Sequence, residues 1–127
     1  MESDIMDCLF CKIVNGDIPS YKIYEDEIVY AFLDINPDSN GHTLIIPKKH
    51  YLDLDEIPSN TLTHILNVAK ELKLKLESKL KCDGLTLIQN NGDIQEVKHF
   101  HLHLKPYYKN SKIKSVEEIY TIIKDRD

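Results

Sequence analysis

The order of elements in this sequence predicts an α+β domain, with a sheet of about five antiparallel strands, one long helix and two short ones. Three observations predict it. Short runs rich in Tyr, Ile, Val and Phe are separated by turn residues, as strands are. One long segment carries its apolar residues three and four apart, as an amphipathic helix does. Helices and strands do not alternate regularly, which argues against a parallel sheet and for an antiparallel one with helices on one side.

Asp7 is a candidate N-cap for a short helix, CLFCKIVNG, which Gly16 stops before Pro19 begins an extended exit. YKIYED and IVYAFLD are expected to form a hairpin through Glu25, Asp26 and Glu27. The turn residues Asn36, Pro37, Asp38, Ser39, Asn40 and Gly41 then lead into a third strand, HTLIIP, closed by Pro47. From about Asn60 to Cys82, Leu62, Ile65, Leu66, Ala69, Leu72, Leu76 and Leu80 make one helical stripe. Within it LKLKLESKLK alternates as a strand would, yet Lys, Leu and Glu favour helix. Gly84 is the expected stop. LTLIQN and HFHLHLKP are the last strands, and Ser115 with Glu118 has the spacing of a capping box that opens a final helix.

A chain of 127 residues suits one domain, spanning 1–127. Its composition, 42% hydrophobic and 29% charged, is that of a folded globular chain. A formal charge of −5 argues against nucleic acid as a partner, because phosphate-tracking surfaces need basic patches. No apolar run reaches the length of a signal peptide or a membrane span, so a cytoplasmic protein with no membrane partner is expected. Cys8, Cys11 and Cys82 then read as reduced thiols, the first two as possible metal ligands.

The run HFHLHLKP holds the chemistry. On a strand His99, His101 and His103 share one face, while Phe100, Leu102 and Leu104 share the other and are expected to be the buried set. At about 3.3 Å per residue, His99 and His103 stand roughly 13 Å apart, too far to hold one ion between them. One end of the run can still join ligands from elsewhere. Cys8-x-x-Cys11 has the two-ligand spacing of a zinc knuckle and lacks two ligands, a redox dithiol being the alternative. His42 and His50 bracket TLIIP and lie on the order of 20–26 Å apart if extended, so they too belong to different places. Antiparallel pairing of TLIIP with the triad would carry His42 toward His103 and the chain near His50 toward His99. Asn90, Asn91, Gly92 and Gln95, just upstream, offer amide and loop N–H groups of the kind that hold phosphate oxygens.

In this order, CLFCKI, AFLDINP, GHTLIIPKKH, LIQNNG and QEVKHFHLHLKP resemble the histidine-triad superfamily of nucleotide hydrolases and transferases, over about residues 7 to 108. The resemblance is closest to its small nucleoside-phosphoramidase branch with an N-terminal CxxC. It implies that His101 attacks the α-phosphorus of a purine nucleotide or nucleoside phosphoramidate and forms a nucleotidyl-histidine that water releases. Neutral imidazole is a competent nucleophile at pH 7. By the same resemblance His42 orients or polarises the site, and His103 with Asn90 and Gln95 binds the phosphate oxygens. From the residues alone Asp34, at a strand's end, can either accept ribose hydroxyls or cap the turn before Asn36 and Pro37, and the resemblance favours the ribose. The resemblance further implies that Phe10, Ile13, Phe32 and Ile35 line the base, that Cys8, Cys11, His50 and His99 hold one structural zinc (Zn2+) per chain, and that the chain forms a homodimer. Glu96 stands near the leaving group, with proton donation as a candidate role. Only Asp93 and Ile94 separate NNG from QEV, a shorter loop than the family usually carries. Dinucleoside polyphosphate hydrolysis shares this chemistry, and a non-catalytic, zinc-stabilised nucleotide-binding module is the alternative outside enzymes.

Overall fold

The computed structural model describes residues 8–124, so the candidate cap Asp7 lies outside the described residues. Helix α1 (Leu9–Val14) is instead capped by Cys8, whose Sγ accepts the Cys11 N–H at 3.2 Å. Strands β1 (Tyr21–Glu25), β2 (Val29–Leu33) and β3 (Thr43–Pro47) follow, then helix α2 (Ser59–Leu80), strand β4 (Gly84–Gln89), strand β5 (Leu102–Tyr107) and helix α3 (Val116–Lys124). The five strands form one sheet in the order β1-β2-β3-β5-β4, every neighbouring pair antiparallel. That is the predicted α+β architecture with one long and two short helices. Among the described residues, no helix is long and apolar enough to cross a membrane.

The helices cover both faces of the sheet, which corrects the one-sided arrangement expected. VYAFL and TLIIP are buried at every position, so each face needs its own cover. On one face Val29, Ala31, Leu33, Ile45, Leu102 and Leu104 pack against Ile65, Val68, Ala69, Leu72 and Leu76 of α2 and Ile119 and Ile123 of α3. On the other, Tyr30, Phe32, Leu44 and Ile46 pack against Phe10, Cys11 and Ile13 of α1. Leu66, counted in the α2 stripe, is exposed, and Val68 takes a place in the core.

Two boundaries also move. Helix α2 ends where Lys81 adopts the left-handed conformation, φ 55°, and its N–H bonds the Glu77 carbonyl at 3.0 Å. Gly84 opens β4 instead of stopping the helix. Strand β5 begins at Leu102, not His99, because the preceding segment turns away to other partners. There the Phe100 N–H bonds the Tyr51 carbonyl at 2.7 Å and the His99 N–H bonds the Val97 carbonyl at 2.8 Å. At α3 the Glu118 N–H bonds Ser115 Oγ at 3.1 Å, as the capping spacing predicts.

The loop between β2 and β3 is fixed from two sides. Gly41 has φ +89°, and a Cβ there would run into Leu80 of α2, so only glycine lets His42 follow at this depth. Asn40, 6% exposed, donates from Nδ2 to the Lys112 carbonyl and accepts the Lys114 N–H at Oδ1, both at 2.9 Å. The Tyr108 hydroxyl donates to the Asn40 carbonyl at 2.6 Å.

Candidate active site and metal centre

Antiparallel pairing sorts the histidines. β3 and β5 align Leu44 with His103 and Ile45 with Leu102, so His42, at one end of β3, reaches His103, while Pro47 and His50, at the other, reach His99. His99 and His101 are buried on a face expected to be open, because α1 lies over it. Phe10 of α1 meets both rings edge-on, its centroid 5.9 Å from His99 and 5.1 Å from His101.

Cys8, Cys11, His50 and His99 bring one ligand-type atom each to within 4.8 Å of one another. Cys8 Sγ lies 3.2 Å from His99 Nδ1, and Cys11 Sγ lies 3.4 Å from His50 Nδ1 and 3.5 Å from His99 Nδ1. These spacings are those of four donors around one small ion, and two thiols with two imidazoles suit tetrahedral coordination. The tautomer fits as well. His99 Nε2 donates to the Pro47 carbonyl at 2.8 Å, which turns the lone pair of Nδ1 toward the two thiols. Burial pushes His99 down to about 4 and so keeps it in the neutral, ligating form. Burial and the neighbouring Cys8 push the Cys11 thiol up to about 12, a cost that a bound cation removes by favouring thiolate.

His42 and His103 form a hydrogen-bonded chain with a direction. The Asp38 N–H donates to His42 Nδ1 at 3.1 Å, which puts the proton of neutral His42 on Nε2. That Nε2–H donates to His103 Nδ1 at 2.9 Å, which in turn puts the proton of His103 on Nε2. His101 Nδ1–H donates to the His99 carbonyl at 2.8 Å, leaving the Nε2 lone pair of His101 free. Burial lowers the pKa of all three, His103 to about 4 with His101 and His42 adding to the effect, so at pH 7 they are neutral. Asp34, His42 and His103 also bring one ligand-type atom each to within 4.8 Å of one another. They are no metal site as protonated, because His42 Nδ1 is occupied by the Asp38 N–H and Nε2 must then carry a proton.

His42, His101 and His103 open onto a cavity of about 390 Å³. Phe10, Ile13, Phe32 and Ile35 line it together with Asp34 and Asn90. Asp34 takes the turn-capping role through Oδ1, which accepts the Asn36 N–H at 2.9 Å, while its Oδ2 lies 3.7 Å from His42 Nε2 at the cavity wall. Gln95 does not line the cavity. It is 2% exposed, and its side-chain amide donates to the Leu52 carbonyl at 2.7 Å, bracing the shortened loop. Asn91 likewise accepts the Leu54 N–H, at 2.9 Å. Lys48, after β3, is paired with Glu25 at 2.7 Å.

Sequence reasoning missed Lys105 and Asp38, which line the cavity as an ion pair of 2.6 Å. The signal for Lys105 was its place two residues after His103 on the same strand face. Asp38 was hidden among turn residues. Leu9, Ile18, Pro19, Leu44 and Val97 widen the apolar wall beyond the residues predicted for it.

The sequence profile of the HIT domain matches residues 15–110. The chain is 48% identical over 103 residues to an uncharacterized HIT-like protein of Methanocaldococcus jannaschii, covering 80% of this chain and 79% of that protein. It is 46% identical over 105 residues to an adenosine 5′-monophosphoramidase of Candida albicans, covering 78% of this chain and 69% of that protein. A crystal structure of a zinc-bound histidine triad family protein from Mycobacterium smegmatis superposes with a TM-score of 0.86 at 36% identity, over 93% of this chain and 91% of that one.

Proposed function

The chain belongs to the HIT domain family, and from that premise we propose that it is a nucleotide hydrolase that cleaves nucleoside 5′-phosphoramidates at the α-phosphorus. One observation carries the reading. His101 directs its single N–H to the His99 carbonyl and is left with an unprotonated Nε2 beside a cavity that has an apolar wall on one side. A buried imidazole held neutral in that tautomer is a nucleophile at pH 7 without a separate base. The relative named adenosine 5′-monophosphoramidase supports the substrate class.

In this reading the purine ring rests on Phe10, Ile13, Phe32 and Ile35, and the free lone pairs of Asp34 Oδ2 accept ribose hydroxyls. The His101 Nε2 attacks phosphorus and gives a nucleotidyl-histidine intermediate. As negative charge builds on the phosphoryl oxygens, the His103 Nε2–H, fixed in place by His42, donates to one of them. Asn90 supplies a further amide donor from the loop. Gln95 contributes through the loop it braces, not by contact with phosphate. Water then attacks phosphorus and returns the electron pair to His101.

Cys8, Cys11, His50 and His99 hold one structural zinc, which supplies a cross-link between α1 and the segment that carries the nucleophile. The zinc-bound relative supports that choice of ion. A homodimer belongs to the same reading, since β4 is an edge of the sheet and Leu87 on it is 46% exposed.

The test is direct. Adenosine 5′-phosphoramidate is incubated with the protein and the reaction is quenched within one turnover. A nucleotidyl adduct mapped to His101 by mass spectrometry is the expected result, and turnover with no histidine adduct at any time would sink the mechanism. Nucleotide binding with no turnover would favour the non-catalytic module.

A further inference from the structure

The loop from β2 to β3 is anchored on both sides of Asp38. The Asn36 N–H bonds Asp34 Oδ1 at 2.9 Å, the Ser39 carbonyl accepts the His42 N–H at 3.1 Å, and the Asn40 amide grips the segment after β5. None of these bonds fixes the peptide between Pro37 and Asp38, and that peptide carries the N–H aimed at His42 Nδ1. Among the described residues, Asp38 has two hydrogen-bond partners. Its backbone N–H meets the His42 ring at 3.1 Å, and its carboxylate accepts from Lys105 Nζ at 2.6 Å.

Lys105 ties that peptide to the strand of the triad. It follows His103 by two residues on β5, so both side chains stand on the cavity side of the sheet, opposite the buried Leu104. Its side chain is 27% exposed, and Asp38 is its one ion-pair partner among the described residues. A pair of charges thereby aims a backbone donor.

The aim of that donor decides which way the imidazoles point their protons. With Nδ1 occupied, His42 carries its proton on Nε2 and donates to His103 Nδ1 at 2.9 Å, and His103 keeps its own proton on Nε2. The reverse chain is equally well hydrogen-bonded: His42 protonated on Nδ1 turns a bare Nε2 toward His103, which answers with Nδ1–H. His103 would then face the cavity with a lone pair, which repels a phosphoryl oxygen instead of binding it. Asp34 Oδ2, 3.7 Å from His42 Nε2, is beyond hydrogen-bond reach and favours the native direction only through its charge.

We propose that Lys105 is a positioning residue that, by holding Asp38, sets the direction of the His42–His103 chain and keeps an N–H turned toward the phosphoryl group. The inference rests on the reading above, in which His103 donates to a phosphoryl oxygen. Lys105 itself makes no contact with substrate, because Asp38 engages its charge.

The test joins nitrogen NMR of the free protein to the kcat and KM of adenosine 5′-phosphoramidate hydrolysis. Lys105→Met and Asp38→Ala leave every imidazole and the backbone N–H of residue 38 in the chain. Each should mix the tautomers of His42 and His103 at pH 7 and lower kcat by about tenfold, with KM nearly unchanged. The double variant should lose no more than either single one, because the two residues act as a unit. Lys105→Arg, which keeps the charge, should retain the native tautomers and a kcat within about twofold of native. Melting temperature should hardly move in any of them, since an ion pair this exposed adds little to folding. A rise in KM for Lys105→Met that Asp38→Ala does not share would show Lys105 meeting the phosphate directly and would overturn the inference. Native tautomers in both single variants would overturn it as well. A native protein that leaves the phosphoramidate intact would remove the underlying reading, while the tautomers would still decide whether Lys105 orients His42.

Discussion

The His99 carbonyl accepts the Nδ1–H of His101 at 2.8 Å, so the residue whose ring faces the two thiols also fixes the tautomer of the candidate nucleophile with its backbone. One residue thereby joins the candidate metal group to the proposed reaction centre, and the first expectations follow from that link.

Replacing the nucleophile should separate binding from chemistry. His101→Ala and His101→Gly are expected to lower kcat for adenosine 5′-phosphoramidate by at least about 10³-fold while nucleotide affinity changes little. Steady-state kinetics with calorimetric titration of a nucleoside monophosphate checks both halves.

Protein purified without added metal should carry one zinc per chain by elemental analysis. Chelation, or Cys11→Ser, should cost several kcal/mol of folding stability, read as a fall of roughly 10 °C or more in melting temperature. An equal melting temperature with and without the ion would remove the structural role from Cys8, Cys11, His50 and His99.

The direction of the histidine chain is visible to nitrogen NMR. His103 should show an unprotonated Nδ1 and a protonated Nε2 at pH 7, set by the 2.9 Å contact with His42. His42→Ala should scramble that pattern and lower kcat by about 10²-fold, more than it raises KM.

Acid should destabilise the fold through the same residues. His103 is held at about 4 in the folded chain, chiefly by burial, against an ordinary histidine value of 6.5. Between those values the unfolded chain binds the extra proton, so the contribution of neutral His103 is complete above pH 6.5 and is lost as pH falls toward 4. Urea midpoints should fall across that window, and less steeply in His103→Asn.

Gly41→Ala should cost about 2–4 kcal/mol, because a Cβ at φ +89° collides with Leu80 and the backbone conformation itself resists a side chain. Chemical denaturation measures the loss, and restored stability in Gly41→Ala with Leu80→Ala would identify the collision as its source.

Much of this was legible because it follows from periodicity. The alternation of HFHLHLKP placed Phe100, Leu102 and Leu104 in the core, and antiparallel pairing alone was enough to send His42 and His50 to different sites. What escaped depends on contacts between distant segments. The uniform apolarity of VYAFL and TLIIP signalled two buried faces, but which helix covers the second depends on where Phe10 and Ile13 dock. The start of β5 depends on Tyr51 capturing the Phe100 N–H, a partner 49 positions away. Gln95 had the residue type of a phosphate ligand, yet its amide is engaged by the Leu52 carbonyl, which no local pattern announces. Lys81 took the left-handed cap that Gly84 was expected to supply, three residues early.

The amide of Asn40 has a practical consequence for handling this protein. It grips the backbone on both sides of Ile113, and so ties the segment after β5 to the loop that delivers Asp34, Asp38 and His42. A version cut after Tyr107 would keep every histidine, both N-terminal cysteines and all five strands, and would satisfy any motif search. It would nonetheless lose Ile119 and Ile123 from the core and leave the loop that carries Asp38 and His42 without its outer support. Shortened or C-terminally fused forms are therefore to be judged by turnover as well as by whether they fold.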